Sequence, residues 1–419
     1  MNRLLTTLVG LAFFMQMTAY PVTAIQAREK ATKFLNARVA GKMKSVKRSQ
    51  SSLETALVGG EDSYYVFNVG QDEGFVIVSG EDITDDILGY SDEGHFDVET
   101  LPDEVKSWMQ GYADEISWLR QNELQLVRKS ISSPYDDITL DESKLAYWNQ
   151  DYPFRNMCPK EDGLNTAVGC VPLAMAQMLY YHKRPLKTFC EIPSHVEGID
   201  AVPAGTVIDW GNMDALPENI VKPEQKDAVA NLALYCGLAV TADYGLKGTG
   251  ADGHSIVYAM AKYFGYNPSM EYLDRNNYSY EDWTLLINTE LGKGRPVFYG
   301  GQSSSGGHRF LLYGYKNGLY YINWGWGKDY NGYYRLSVTD FFSPIGDDYG
   351  GISKYNHNQG AIVEAYPTDG SKTYIPRLTA IGMDSFDDLT LTRQQSATSF
   401  PAFDVTFKVE NYNPVSLEF

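Results

Sequence analysis

Two residues of this 419-residue chain have the types and surroundings to break an acyl bond together, Cys170 and His308. Cys170 stands in Asn165-Thr-Ala-Val-Gly-Cys-Val-Pro-Leu-Ala-Met-Ala-Gln-Met-Leu-Tyr-Tyr-His182. Everything after it reads as helix, and Pro172 suits the first turn, where a missing N–H costs nothing. The pattern therefore predicts a cysteine at a helix N-terminus. There the helix dipole favours the thiolate, which is the nucleophilic form. Gly169 removes a side chain that would crowd an approaching substrate. The competing reading is a small buried hydrophobe, because free cysteine is often interior.

A thiolate nucleophile works best with an imidazole as proton shuttle and charge partner. His182 lies on the same helix, about 18 Å further along at 1.5 Å per residue. His95 falls in an N-terminal segment of its own, and His195, His254 and His357 sit in loop-like contexts. His308 differs. In Ser303-Ser-Ser-Gly-Gly-His-Arg-Phe-Leu-Leu-Tyr-Gly-Tyr315 it begins a strand, behind two glycines that open room for a peptide backbone. It follows Cys170 by 138 residues (308 − 170), inside the roughly 130–150 interval of papain-type enzymes. A structural histidine satisfied by its neighbours is the plainer alternative.

Asn317-Gly318 is a strong two-residue hairpin signal, so the His308 strand folds back onto Leu319-Tyr-Tyr-Ile-Asn-Trp-Gly-Trp-Gly327. The return brings Asn323, Trp324 and Trp326 towards the histidine end. Papain-like sites use an Asn near a Trp to hold the imidazole. A strict two-residue turn, however, sets Asn323 opposite Leu312, four residues or about 13 Å from His308. Direct contact requires a bulge or a bend; otherwise Trp324 or a backbone carbonyl orients the ring.

Several elements must hold these residues in place. Residues 25–45 read as a helix, with Ala27, Ala31, Leu35 and Val39 four apart. Tyr64 to Val69 and Phe75 to Ser79 form a hairpin about a Gly-bounded loop, and Ile87-Leu-Gly-Tyr is a further strand. A helix follows from Asp103 to Val127, with Val105, Trp108, Met109, Tyr112, Ile116 and Leu119 on one face. Lys129-Ser-Ile-Ser-Ser-Pro is a polar linker. The four cysteines, Cys158, Cys170, Cys190 and Cys236, and five of the six histidines fall after it. Thr368-Asp-Gly-Ser-Lys marks another boundary. Beyond it Phe403 to Glu410 alternates as a strand, in a segment with too few strands for a sandwich.

Composition narrows the function. With 43% hydrophobic and 21% charged residues the chain is globular, and its length allows two or three domains. Many Tyr (31) and Gly (38) point to sheet and tight turns. Lys plus Arg is 35 against 53 Asp plus Glu, a net charge of −18. Such a chain repels phosphate backbones, so nucleic acid is not an expected partner. Arg3, the apolar run Leu4 to Phe14, and Ala19 and Ala24 read as an export signal too short to span a bilayer. No later segment is long and apolar enough for a membrane span. Four cysteines are too few for a disulfide scaffold, although an oxidising compartment would allow Cys158 to pair with Cys190. No His-Glu-x-x-His or paired Cys-x-x-Cys occurs, so neither a metal nor a cofactor is expected. Asp136-Asp137 and Asp347-Asp348 read as solvated turns.

Taken together, Ala167-Val-Gly-Cys-Val-Pro-Leu-Ala-Met-Ala-Gln-Met-Leu-Tyr-Tyr-His-Lys-Arg-Pro185, Gly306-Gly-His-Arg-Phe, Tyr321-Ile-Asn-Trp-Gly-Trp-Gly and Asn331-Gly-Tyr-Tyr resemble the streptopain family of secreted papain-like cysteine peptidases. Gly74-Phe-Val-Ile-Val-Ser and Ile87-Leu-Gly-Tyr-Ser are similar to that family's inhibitory propeptide. The resemblance implies an α+β chain, with a papain-like two-subdomain peptidase fold at 136–367. A signal peptide at 1–24 and an α+β inhibitory propeptide at 25–135 would precede it. A partial β-sandwich-like segment at 368–419, the truncated start of a further module, would follow. It implies Cys170 as nucleophile and His308 as general base and acid, with Asn323 and Trp324 beside the imidazole. Gly307, Gly169 and Gly250 would line the substrate, Gly250 within the groove loop 244–253. The family carries a Gln shortly after a Val-Tyr-Tyr run, where this chain has Val297-Phe-Tyr-Gly-Gly-Gln302; Gln302 is the candidate replacement.

The expected function is a secreted zymogen endopeptidase acting on protein or peptide substrates, with its own propeptide as intramolecular inhibitor. The resemblance further implies a preference for a bulky apolar residue two before the scissile bond. The alternatives are a Cys-His acyltransferase or cell-wall amidohydrolase on the same fold, and a non-catalytic exported adhesin.

Overall fold

A computed structural model describes residues 20–41, 53–122, 126–128, 136–303, 306–338, 342–344, 359–369, 379–383 and 407–410. The export signal before residue 20, the linker at 129–135, Asp347-Asp348, His357 and most of the segment beyond 369 lie outside them. The chain divides into two units, Met1–Pro134 with Tyr334–His357, and Tyr135–Tyr333 with Asn358–Phe419.

In the first unit, the strands Leu53–Val58, Tyr64–Val69, Phe75–Ser79 and Ile87–Ser91 form an antiparallel meander in chain order. Their β-branched and aromatic residues supply a pleated surface that buries well. The turn into the third strand needs Gly74, because its φ is +106° and a Cβ there would lie 2.1 Å from the Ser91 carbonyl oxygen. Helix α1, Ala24–Gly41, packs against the two middle strands with Ala27 and Ala31 buried. Helix α2, Asp103–Asn122, opens on Asp103 and Glu104, which suit the positive end of its dipole. It buries Val105, Trp108, Met109, Tyr112, Ile116 and Leu119. The helix stops at Asn122, short of the Val127 that its apolar spacing predicts. Leu126–Arg128 is instead a strand paired with Phe342–Pro344, and its Leu-Val-Arg sequence suits either state.

Residues 334–338 belong to this first unit. The Arg335 N–H donates to the Leu88 carbonyl, and its guanidinium pairs with Asp85 at 2.7 Å. The buried Glu115 carboxylate accepts from the Ser337 hydroxyl and the Val338 N–H. The free edge of the Ile87–Ser91 strand provides the backbone partner that no local pattern announces.

The second unit carries an antiparallel sheet in the order Leu319–Asn323, Gly306–Lys316, Val297–Ser303, Gly360–Val363, Glu271–Asp274. Ile138–Thr139 adds to it at Gly314 and Tyr315. Helix α3, Cys170–His182, is buried on every side from Val171 to Tyr181, as an all-round apolar helix must be. It packs on α4, Pro223–Ala239, and on the strand of His308. Helices α5, Ser255–Phe264, and α6, Tyr280–Gly292, complete the unit; α6 starts where the Ser279 hydroxyl accepts the Asp282 N–H. In the last part of the chain Thr379–Met383 and Phe407–Glu410 pair antiparallel.

All four cysteines carry free thiols, so Cys158 and Cys190 are not bridged. Among the described residues no group of His, Cys, Asp and Glu could hold a metal ion. No helix among them is long and apolar enough to cross a membrane.

Candidate active site

Cys170 is the first residue of α3, with Gly169 at the N-cap in a φ of +91°. That conformation favours glycine. A Cβ on Gly169 would also lie 2.9 Å from the Thr249 carbonyl oxygen. The glycine therefore makes room for Thr249 of this same chain, not for substrate as its neighbourhood in the sequence suggests. Thr249 in turn donates its hydroxyl to the Ala167 carbonyl at 2.6 Å. The Ala167 N–H donates to the Gly245 carbonyl. The segment entering Cys170 is thus pinned to the loop that follows α4.

His308 sits on the strand Gly306–Lys316 and is 8% exposed. Its imidazole acts on the Cys170 thiol and lowers its pKa. On its other side the Nε2 nitrogen lies 2.8 Å from the Trp324 carbonyl oxygen. With Nε2–H donated to that carbonyl, Nδ1 is the ring nitrogen left to take up a proton. Burial by itself pushes the Cys170 thiol up. The hydrogen bond and charge of His308, with the Arg309 N–H and guanidinium, outweigh it and hold the thiol below the ordinary cysteine value. By contrast, burial pushes Cys158 up to about 12 and Cys236 well up, so both are inert structural thiols.

The hairpin turn is as its Asn-Gly pair predicts, with φ of +51° at Asn317 and +81° at Gly318. A bulge at Tyr313 then moves the register by one residue, so that Asn323 pairs with Leu311. Even so, Asn323 does not bond His308. Its Nδ2 donates to the Ala146 carbonyl at 2.8 Å, and its Oδ1 accepts from the Gly325 N–H at 3.1 Å. The expectation that Asn323 grips the imidazole is corrected: the main-chain carbonyl of the next residue does so. Asn323 shapes the turn that presents that carbonyl. Asn331, which sequence reasoning passed over, completes the work by accepting the Trp324 N–H at 2.9 Å and donating to the Gly327 carbonyl.

Aromatic rings wall the imidazole. Trp324 stacks at 6.2 Å and Trp326 at 6.4 Å between ring centroids, with Phe310 at 5.9 Å. Gly307 is exposed beside His308 and pairs with Gln302, whose side chain lies outside the described residues. Gly250 is exposed and bridges to Asp243 at the base of its loop. Gly300, where the family resemblance leads one to look for a Gln, faces the His308 strand: a Cβ there would lie 2.3 Å from the His308 carbonyl oxygen and 3.1 Å from the Arg309 guanidinium carbon.

A buried amide-bearing residue, Gln150, accepts the Val168 N–H through its backbone, two residues before the nucleophile. It is the kind of side chain an oxyanion site needs, and the sequence alone did not single it out. The arrangement as a whole can attack a carbonyl with sulfur and deliver a proton to the leaving group.

Comparisons with known proteins agree with this chemistry. Residues 148–334 match the Peptidase C10 family, and residues 19–116 match the Spi protease inhibitor family. The thiol protease/hemagglutinin PrtT of Porphyromonas gingivalis is 28% identical over 99% of this chain. The chain spans about half of that relative, 49% of its length. Streptopain of Streptococcus pyogenes is 29% identical over 82% of this chain and 91% of its own. A solved fragment of prointerpain A from Prevotella intermedia, a mutant, superimposes with a TM-score of 0.62 at 28% identity. It covers 76% of this chain and all of the fragment.

Proposed function

The chain belongs to the peptidase C10 family, and from that premise we propose that it is a cysteine endopeptidase made as a zymogen, with Cys170 as nucleophile and His308 as general base and acid. The observation that supports the reading is the His308 imidazole, fixed by the Trp324 carbonyl and lowering the pKa of the Cys170 thiol. The thiolate attacks the scissile carbonyl carbon, and His308 gives its proton to the departing amine. Water then adds to the acyl-enzyme while His308 takes a proton from it, and the thiolate leaves. The Cys170 N–H, at the start of α3, faces the developing oxyanion, with the Gln150 amide as the candidate second donor. Each such donor lowers the barrier by about 3–4 kcal/mol.

The match of residues 19–116 to a protease inhibitor family supports the zymogen reading. The first unit would act as the intramolecular inhibitor until the linker at 129–135 is cut. The apolar run from Leu4 supports export. Proteins or peptides are the substrates, with a bulky apolar residue two before the scissile bond, and the loop 244–253 and the Gly307 backbone lining the groove. The test is digestion of a protein substrate under reducing conditions by wild type, Cys170→Ala and His308→Ala, with mass spectrometry of the N-terminus. Loss of both digestion and self-processing in the two variants is expected. Digestion by Cys170→Ala at the wild-type rate would sink the reading.

A further inference from the structure

Arg309 follows the histidine, and its side chain leaves the other face of the strand. Its guanidinium does not extend into solvent. Nη1 donates to the Gly360 carbonyl at 3.2 Å, two strands away across the sheet. The guanidinium carbon lies 5.2 Å from the centre of the Tyr272 ring. Two glycines wall the space it fills. A Cβ on Gly253 would come within 2.3 Å of Nη2, and one on Gly300 within 3.1 Å of Cζ and Nε. A side chain at Gly253 would displace the guanidinium, whereas one at Gly300 would first meet the His308 carbonyl oxygen at 2.3 Å.

Gly253 lies between Asp252 and His254. The His254 Nδ1 is 2.8 Å from Asp252 Oδ1, and the His254 ring lies 3.8 Å from that of Tyr272. Arg309 and His254 thus flank one tyrosine, at the C-terminal end of the loop proposed to line the groove.

We propose that Arg309 is a positioning residue of the active site, whose guanidinium, seated against Gly253 and Tyr272, ties the loop of Asp252 and His254 to the catalytic strand. The charged groups acting on the Cys170 sulfur are His308 and Arg309. Arg309 is also felt by Asp252. Burial pushes the Asp252 carboxyl up, but the hydrogen bonds from His254, its charge and the charge of Arg309 hold it below the usual carboxylate value. Arginine suits the task because its planar fork both stacks on a ring and stays charged at every relevant pH. The inference rests on the reading of Cys170 as nucleophile.

The test follows the ultraviolet absorbance of the Cys170 thiolate against pH in the full-length chain, with Cys170→Ala as the baseline. Wild type is compared with Arg309→Met, Arg309→Gln and Arg309→Lys. The neutral variants should raise the titration midpoint, by up to about one pH unit, the low end of what an adjacent opposite charge produces. Below the midpoint that is up to roughly tenfold less thiolate. Arg309→Lys keeps the charge and should recover most of the shift, while its KM rises because the stacking and the fork are lost. If one neutral variant fails to fold, the other carries the comparison. A midpoint unchanged in the neutral variants, or moved as far in Arg309→Lys, would overturn the proposal while leaving the nucleophile in place. A wild-type chain with no Cys170-dependent thiolate at neutral pH would overturn the nucleophile reading, and this inference with it.

Discussion

Replacing Asn323 by alanine separates a residue that builds the site from one that takes part in the chemistry. Its amide makes two buried hydrogen bonds, to the Ala146 carbonyl and from the Gly325 N–H, and neither reaches the imidazole. Asn323 and Ala146 are both 0% exposed, so the partners would be stranded away from water. Leaving a buried donor or acceptor unpaired costs about 1–3 kcal/mol, so the two together should cost about 2–6 kcal/mol. That is a large part of the roughly 5–15 kcal/mol that holds a domain together. The Trp324 carbonyl still faces His308 in molecules that fold, helped by Asn331, so kcat/KM should fall no more than about tenfold. Loss of the general base would instead cost about a hundredfold or more. Urea unfolding is measured in the Cys170→Ala background, where self-digestion is absent, and turnover in the single variant well below its transition. Wild-type stability combined with a hundredfold loss of kcat would refute the reasoning, because it would mean that the amide holds the imidazole during turnover.

Three further outcomes are expected. Gly169→Ala forces a side chain into a φ of +91° against Thr249; strain of about 1–3 kcal/mol should appear as a lower unfolding midpoint together with a weakened kcat, and unchanged turnover would count against the role given to this cap. Burial pushes His182 down from 6.5 to about 4. The unfolded chain therefore takes up this proton first, so the contribution is whole above pH 6.5 and is lost as the pH falls towards 4. The loss approaches about 3 kcal/mol, and urea titrations of His182→Gln should show a shallower acid decline than wild type; parallel declines would rule the histidine out as a cause. In the first unit, Glu115→Ala strips the Val338 N–H of its acceptor, and hydrogen exchange at that amide should quicken at least tenfold. An equally protected amide would show that the carboxylate is not what shields it.

Patterns carried by neighbouring residues were legible in the sequence. The run from Cys170 to His182 is apolar at nearly every position, and Pro172 marks its first turn, so the place of Cys170 at a helix start followed from local rules. Asn317-Gly318 announced the hairpin because only residues tolerant of positive φ suit that turn. His308 also stood out, since its strand begins behind two glycines and no other histidine has such a setting.

What holds the imidazole was decided only when the chain folded. A single bulge at Tyr313 changes the register of the returning strand, and a bulge leaves little trace in side-chain alternation. The orienting group is moreover a backbone carbonyl, which every residue possesses and no sequence pattern can flag. The same holds for Arg309, whose seat brings together distant stretches of the chain, and for residues 334–338, which meet Leu88 and Glu115, residues of the same unit that lie far earlier in the chain. Local preference sets which elements exist, whereas contacts between residues far apart in the chain set which atoms meet, because side-chain and carbonyl partners are chosen by packing in three dimensions.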